Sequence, residues 1–298
     1  MDWVQKVMSG VHHTPFSRIK SIYANITEDE ARAKGYIKGT QKKEEVFTIL
    51  KRTTDPQTVY KLQKMDRDDI IDIVDFEVIA WIKAEMRMML EEEIARAILI
   101  GDGRPSDSEF KIKEDNVRPI AKDVPLFNTQ VPVNVAADAD EGTVAKATIN
   151  AMIRARKHYK GSGNPKLWTT EDVLTEMLLL EDGIGHKLYK TEAELATALR
   201  VSEIVTVEPM EGQKIDFGTD KNLPLIGIIV NMNDYNVGAD KGGEITNFED
   251  FDIDFNQYKY LIETRISGAL VKPYSALTFA LKRATSTGSS KASGQGAA

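Results

Sequence analysis

The sequence predicts an α+β protein: one long helix, then a compact unit of helices and strands, then long alternating strands. Three observations carry this. "FEVIAWIKAEMRMMLEEEIARAILI", residues 76–100, puts Ile79, Ile82, Met86, Met89, Leu90, Ile94 and Ile98 on one stripe at helical spacing. "LPLIGIIVN" is almost wholly apolar, the mark of a strand covered on both faces. "NFEDFDIDFNQY", residues 247–258, alternates Phe251, Ile253 and Phe255 with Asp250, Asp252 and Asp254. A strand there carries the acids on one side and packs the apolar set towards the long helix on the other.

The elements follow in order. Residues 1–27 read as an N-terminal arm. "HHTPFSRIKS" within it reads as extended, because Pro15 removes a backbone donor and disfavours helix before it. Residues 28–72 hold two β-prone runs, "EEVFTILKRT" and "TVYKLQKM", separated by a turn at Asp55-Pro56. This stretch has too few apolar residues for a core of its own. Either it is unstructured or it is an extended loop that lies across a neighbouring surface. The expectation is that another copy of the chain completes it, so that deleting 30–55 leaves a folded subunit that no longer assembles.

Residues 73–137 contain the helix over 76–100, a rod of about 38 Å at 1.5 Å per residue. Glu92 precedes Arg96 by one turn, the favourable order for an ion pair, and Gly101-Asp102-Gly103 stops the helix. Pro105, Pro119, Pro125 and Pro132 make the remainder look irregular. Residues 138–243 form the compact α/β unit. It has a helix ended at Gly161, a strand at "NPKLWTT", two helices joined through an exposed "GIGHKLY", and strands at "EIVTVEP" and "LPLIGIIVN". Residues 244–283 return as long strands, and 284–298, small and polar, read as a flexible tail.

Composition narrows the function classes. With 46 acidic and 39 basic residues the net charge is −7, which argues against gripping nucleic acid through an overall basic surface. The absence of cysteine excludes disulfides and thiolate zinc sites and fits a reducing compartment. No apolar run has the length of a membrane span.

No motif supports catalysis. An EF-hand counted from Asp250 needs glycine and glutamate where Phe255 and Leu261 stand. "GDGRPS" follows a helix and lacks the Gly-Lys-Ser/Thr of a phosphate loop. Ser17–Lys20 matches Ser-x-x-Lys, but neither Ser-Asp-Asn nor Lys-Thr-Gly accompanies it. His12, His13, His158 and His186 share no ligand spacing. Asp252 and Asp254 form an Asp-x-Asp that a metal-dependent enzyme would use, with nothing else to make a nucleotide pocket. The expectation is no catalytic residue, no metal and no cofactor.

The order of parts is distinctive. "PFSRIKS", "ITEDEARAKGYIKG", "PQTVYKLQKMDRDDIIDI", "WIKAEMRMMLEEEIARAILIGDGR" and "FEDFDIDFNQYKYLIETRISGALVKPYSA" together span residues 14–276. In that order they resemble the major capsid proteins of tailed phages, the Hong Kong 97-type (HK97-like) fold. The resemblance implies an extended loop over 28–72, a spine helix over 76–100 in a peripheral domain at 73–137, an axial domain over 138–243, and peripheral return strands over 244–283. It implies self-assembly into pentamers and hexamers of an icosahedral head enclosing double-stranded DNA. The partners would be a scaffolding segment or protein, a portal and the packaged genome, with no membrane and with assembly in the host bacterial cytoplasm. Lys38, Lys42, Lys43, Arg52, Tyr60, Arg67, Asp68, Arg87, Glu92 and Asn256 are the candidates for contact between subunits. One relative links a lysine of the loop covalently to an asparagine of a neighbour. Lys38, Lys42, Lys43 and Asn256 lie in the regions where such a pair would fall, without a residue-by-residue match to it. An encapsulin-like nanocompartment shell is the alternative within the same fold.

Overall fold

A computed structural model describes residues 2–24, 38, 49–68, 77–239 and 245–284. The N-terminal part comprises α1 (Asp2–Gly10), β1 (His12–Thr14) and β2 (Ile19–Ala24), followed by β3 (Ile49–Thr54) and β4 (Gln57–Asp66). The spine is α2 (Glu77–Leu99). Then come β5 (Asn128–Val135), α3 (Glu141–Ala155), β6 (Lys166–Thr169), α4 (Glu171–Leu178), α5 (Glu192–Leu199) and β7 (Ile204–Thr206). The chain finishes with β8 (Lys214–Phe217), β9 (Asp220–Val230), β10 (Tyr235–Ala239), β11 (Thr246–Asp252), β12 (Gln257–Leu270) and β13 (Ala276–Arg283).

Two sheets dominate. One runs β1-β10-β12-β11 with β4 also on β12, and the other runs β5-β13-β9-β6-β7 with β8 also on β9. The apolar β9 is central, as its composition requires. β2 and β3 form a separate two-stranded ribbon. The larger core joins α1, α2, the first sheet and one face of the second, and includes Leu90, Ile94, Ile98, Trp168, Ile228 and Ile262. The smaller core lies on the other face of the six-stranded sheet, under α3, α4 and α5, around Met152, Met177, Leu195 and Phe279. β6 serves both cores by strand alternation: Leu167 points to the smaller and Trp168 to the larger.

Several elements differ from the sequence reading. The first ten residues include a helix, because Trp3, Val4 and Val7 make one buried face against the larger core. β5 occupies a stretch that its prolines make look irregular. It is an edge strand, so Pro132 gives up no ladder hydrogen bond there. The long C-terminal run divides at Val271–Ser275 into β12 and β13, which lie in different sheets. On the spine, Met89 is exposed rather than buried, and the ion pair one turn apart is Arg87–Glu91 at 2.9 Å rather than Glu92–Arg96. Gly101 and Gly103 end the helix in the left-handed region, at φ of 94° and 72°, where side chains are strained.

Glu203 ties α1 to β6, since its two oxygens meet Lys6 at 2.6 Å and Lys166 at 2.8 Å. Hydrogen bonds from Lys166 and then Lys6 hold its carboxyl below the ordinary 4.5. A depressed folded value means the contribution is complete above the unfolded value and is lost as pH falls through the folded one. Between about pH 5 and pH 3 the wild type should therefore lose more melting temperature than Glu203→Gln. Parallel curves would show that the network contributes nothing.

Candidate assembly surface

The arm and the β-ribbon meet the body around Arg52. This side chain enters from β3 and donates two hydrogen bonds to Asp123, at 2.8 and 2.7 Å. Its guanidinium lies 4.0 Å from the Phe127 ring centre. Only 6% of Arg52 and 4% of Asp123 is exposed. Burial pushes the Asp123 carboxyl up, and the charge and hydrogen bonds of Arg52 pull against that shift without cancelling it. Within its own subunit Arg52, a candidate for contact between subunits, is thus occupied by Asp123 and Phe127. The ribbon's neighbour is also held down: Ser267 donates to the carbonyl of Ser17 at 2.6 Å, and β1 pairs in parallel with β10.

β4 likewise lies on its own chain, in antiparallel register with β12 from Gln57↔Ile266 to Asp66↔Gln257. Within the subunit, the β4 part of 28–72 therefore pairs with the chain's own sheet. Along this ladder Val59 and Met65 face the spine, with Tyr260 and Ile262 beside them. Among the described residues nothing covers the opposite face. There Phe248, Leu261 and Leu62 stand in one row across three strands, between the row Asp250, Lys259, Lys64 and the row Thr246, Glu263, Tyr60. The pattern of "TVYKLQKM" hides this, because each face mixes apolar and charged residues.

The three aspartates resolve differently from one another. Asp250 and Asp252 do lie on the open face, and Phe251 lies on the spine side against Tyr258, ring centres 4.8 Å apart. The strand stops at Asp252, however. Asp254, Ile253 and Phe255 belong to the hairpin turn, where Ile253 is 84% and Phe255 70% exposed. Asp252 is paired with Lys259 at 2.5 Å, and its carboxyl is lowered chiefly by that hydrogen bond. Its other oxygen accepts the Asp254 backbone N–H at 3.2 Å. Among the described residues no cluster of three or more His, Cys, Asp or Glu is arranged for a metal. Calcium at millimolar concentration should leave the melting temperature unchanged, and a rise of several degrees would reveal a ligand site.

The other candidates are dispersed. Arg67 and Asn256 meet at the hairpin end, where the Asn256 carbonyl accepts the Arg67 N–H at 3.0 Å and Asn256 adopts φ 52°. Asp68 follows, exposed, with its N–H on Asp66. Tyr60 is half exposed on the open face, and Arg87 and Glu92 lie on the spine. Lys38 is exposed in a turn, while Lys42 and Lys43, like the 285–298 tail, lie outside the described residues. No described helix is long and apolar enough to cross a membrane.

Arm, β-ribbon, single spine helix, sheet against the spine and six-stranded α/β unit together define the Hong Kong 97-type fold. Solved capsid structures match it throughout. The "Capsid of native GTA particle computed with C5 symmetry" aligns over 93% of this chain and 90% of its own, with TM-score 0.62 and 11% identity. The mature capsid of bacteriophage PhiM1 aligns over 93% and 86%, with TM-score 0.59 and 12% identity. The capsid of the cyanophage P-SCSP1u aligns over 92% and 86%, with TM-score 0.56 and 9% identity. At such identities the likeness establishes the fold. No protein-family model matches the chain, and no curated protein matches its sequence.

Proposed function

We propose that this chain is the structural major capsid protein of a tailed phage or related particle. It builds pentamers and hexamers of an icosahedral head around double-stranded DNA. The observation that carries this reading is the whole-length match: 93% of this chain superposes on 86–90% of several capsid subunits. In that role β4, α2, β11 and β12 form the peripheral domain, and the six-stranded sheet with α3, α4 and α5 forms the axial domain. The exposed hairpin end with Ile253 and Phe255, and the apolar row at Leu62, are surfaces a lone soluble subunit has no use for. The protein's location is then the virion, and its scaffold, portal and DNA are partners of the assembled shell.

The test is direct. Purified full-length chain should form closed particles or capsomer rings, seen by negative-stain microscopy and sedimentation. A protein that stays monomeric across concentration, salt and molecular crowding would overturn the reading. Particles filled with a cargo protein and no nucleic acid when isolated from the native source would transfer it to a nanocompartment.

A further inference from the structure

The six-stranded sheet has two free edges, and they differ in charge. At one, β5 borders a groove of about 620 Å³ whose far wall is the C-terminal part of α3. Exposed Arg154, Lys157 and His158 line it, and Lys160 continues it beside Tyr274. No carboxylate lines either portion, in a chain where acids outnumber bases. Arg154, Lys157 and Lys160 have no ion-pair partner among the described residues. The ground is rigid: Tyr274 is held at φ 56°, and its carbonyl accepts the Lys160 N–H at 2.8 Å. Pro132 in β5 also removes one donor from the free edge, so that edge is suited to side-chain contact rather than to an added strand.

At the other end of the sheet, β7 borders a depression of about 690 Å³. Glu171, Asp172, Glu192, Glu208 and Glu211 line it, all exposed and none in an ion pair among the described residues, and its one cation, Lys6, is already paired with Asp2 and Glu203. The strand order sets the two edges four strand spacings apart, about 19 Å.

A two-fold dimer through either edge would bring like charge against like. Opposite charges at opposite ends suit a head-to-tail contact, which closes into a ring when the rotation allows. We infer that the β5 groove of one copy receives the acidic β7 end of the next, with Arg154, Lys157 and Lys160 facing Glu208 and Glu211. The inference rests on the assembly reading and adds to it which surfaces meet and what steers them together.

Charge reversal tests it in the full-length chain. Arg154→Glu with Lys157→Glu should raise the concentration needed for assembly at least about tenfold, and Glu208→Lys with Glu211→Lys should do the same. The chain carrying all four substitutions should recover assembly. In the wild type, assembly should weaken as salt rises from about 0.05 M to about 0.5 M, because exposed charges are screened. Melting curves like that of the wild type establish that each variant is folded, and a misfolding pair is replaced by the charge-neutral Arg154→Gln with Lys157→Gln. Folded reversal variants that assemble like the wild type overturn the inference, and so does a folded four-substitution chain that fails to recover. Variants that assemble normally but lose affinity for a DNA duplex would assign the groove to phosphate instead, which also overturns it. A wild type that never assembles removes the assembly reading itself, a result distinct from all of these.

Discussion

Asp123→Ala is expected to destabilise the subunit by about 3–5 kcal/mol, because it strands a buried guanidinium. Among the described residues Arg52 has no second acid to turn to, and its Nε and one terminal nitrogen already lack partners there. The reverse truncation, Arg52→Ala, should cost less. A carboxyl already raised by burial can take up a proton and become neutral, whereas a guanidinium cannot lose one. The sign of the pH effect follows. The Asp123 carboxyl is raised even in the wild type, and Arg52→Ala removes the charge and hydrogen bonds that hold it down, so it rises further above its unfolded value and the variant gains on the wild type as pH falls. Denaturant melts of both variants at pH 7 and pH 5 check this. Equal losses, or losses under about 1 kcal/mol, would mean that the pair behaves as a surface ion pair. Removing residues 30–55, which from sequence alone looks separable, carries away β3 and Arg52 and should unfold the subunit. A deletion ending at residue 48 spares the pair.

Trp168→Ala should cost about 3–5 kcal/mol through the lost transfer energy and the cavity left behind. The ring is fully buried in the core shared by the spine and both sheets, so neighbours fixed in three elements cannot all collapse into the space. Trp168→Phe should cost far less. The indole N–H has no hydrogen-bond partner among the described residues, and phenylalanine removes that donor while keeping most of the contact. If both substitutions destabilise equally, the donor is satisfied by ordered water and the packing account is incomplete.

The parts of the fold legible in sequence are those with one buried face and a regular period. The spine stripe at Met86, Leu90, Ile94 and Ile98 and the central strand β9 are of this kind. What was hidden depended on distant partners. Arg52 looks like any surface arginine until Asp123, 71 positions away, is placed against it. α1 hides because a short helix has few turns to show its period, and β5 because its Pro132 is tolerated only at an edge that sequence does not reveal. The alternation through Asp250 and Asp252 is real but continues in letters past the point where the chain turns, which placed Ile253 and Phe255 in a core they never reach. The charge difference between the β5 and β7 edges was equally invisible, since it arises from strand order and not from any run of residues.

β12 belongs to one sheet and β13 to the other, and the five-residue link between them is pinned: the Tyr274 N–H bonds to the Leu126 carbonyl at 2.8 Å. Tension applied at the β11–β12 hairpin end would pass along β12, through that link, into a strand clamped between β5 and β9. A pull along the strands loads the β4–β12 rungs in shear, so they must yield together rather than unzip one by one. A load along this line is therefore shared by many hydrogen bonds at once, whereas one applied across the strands would meet them singly.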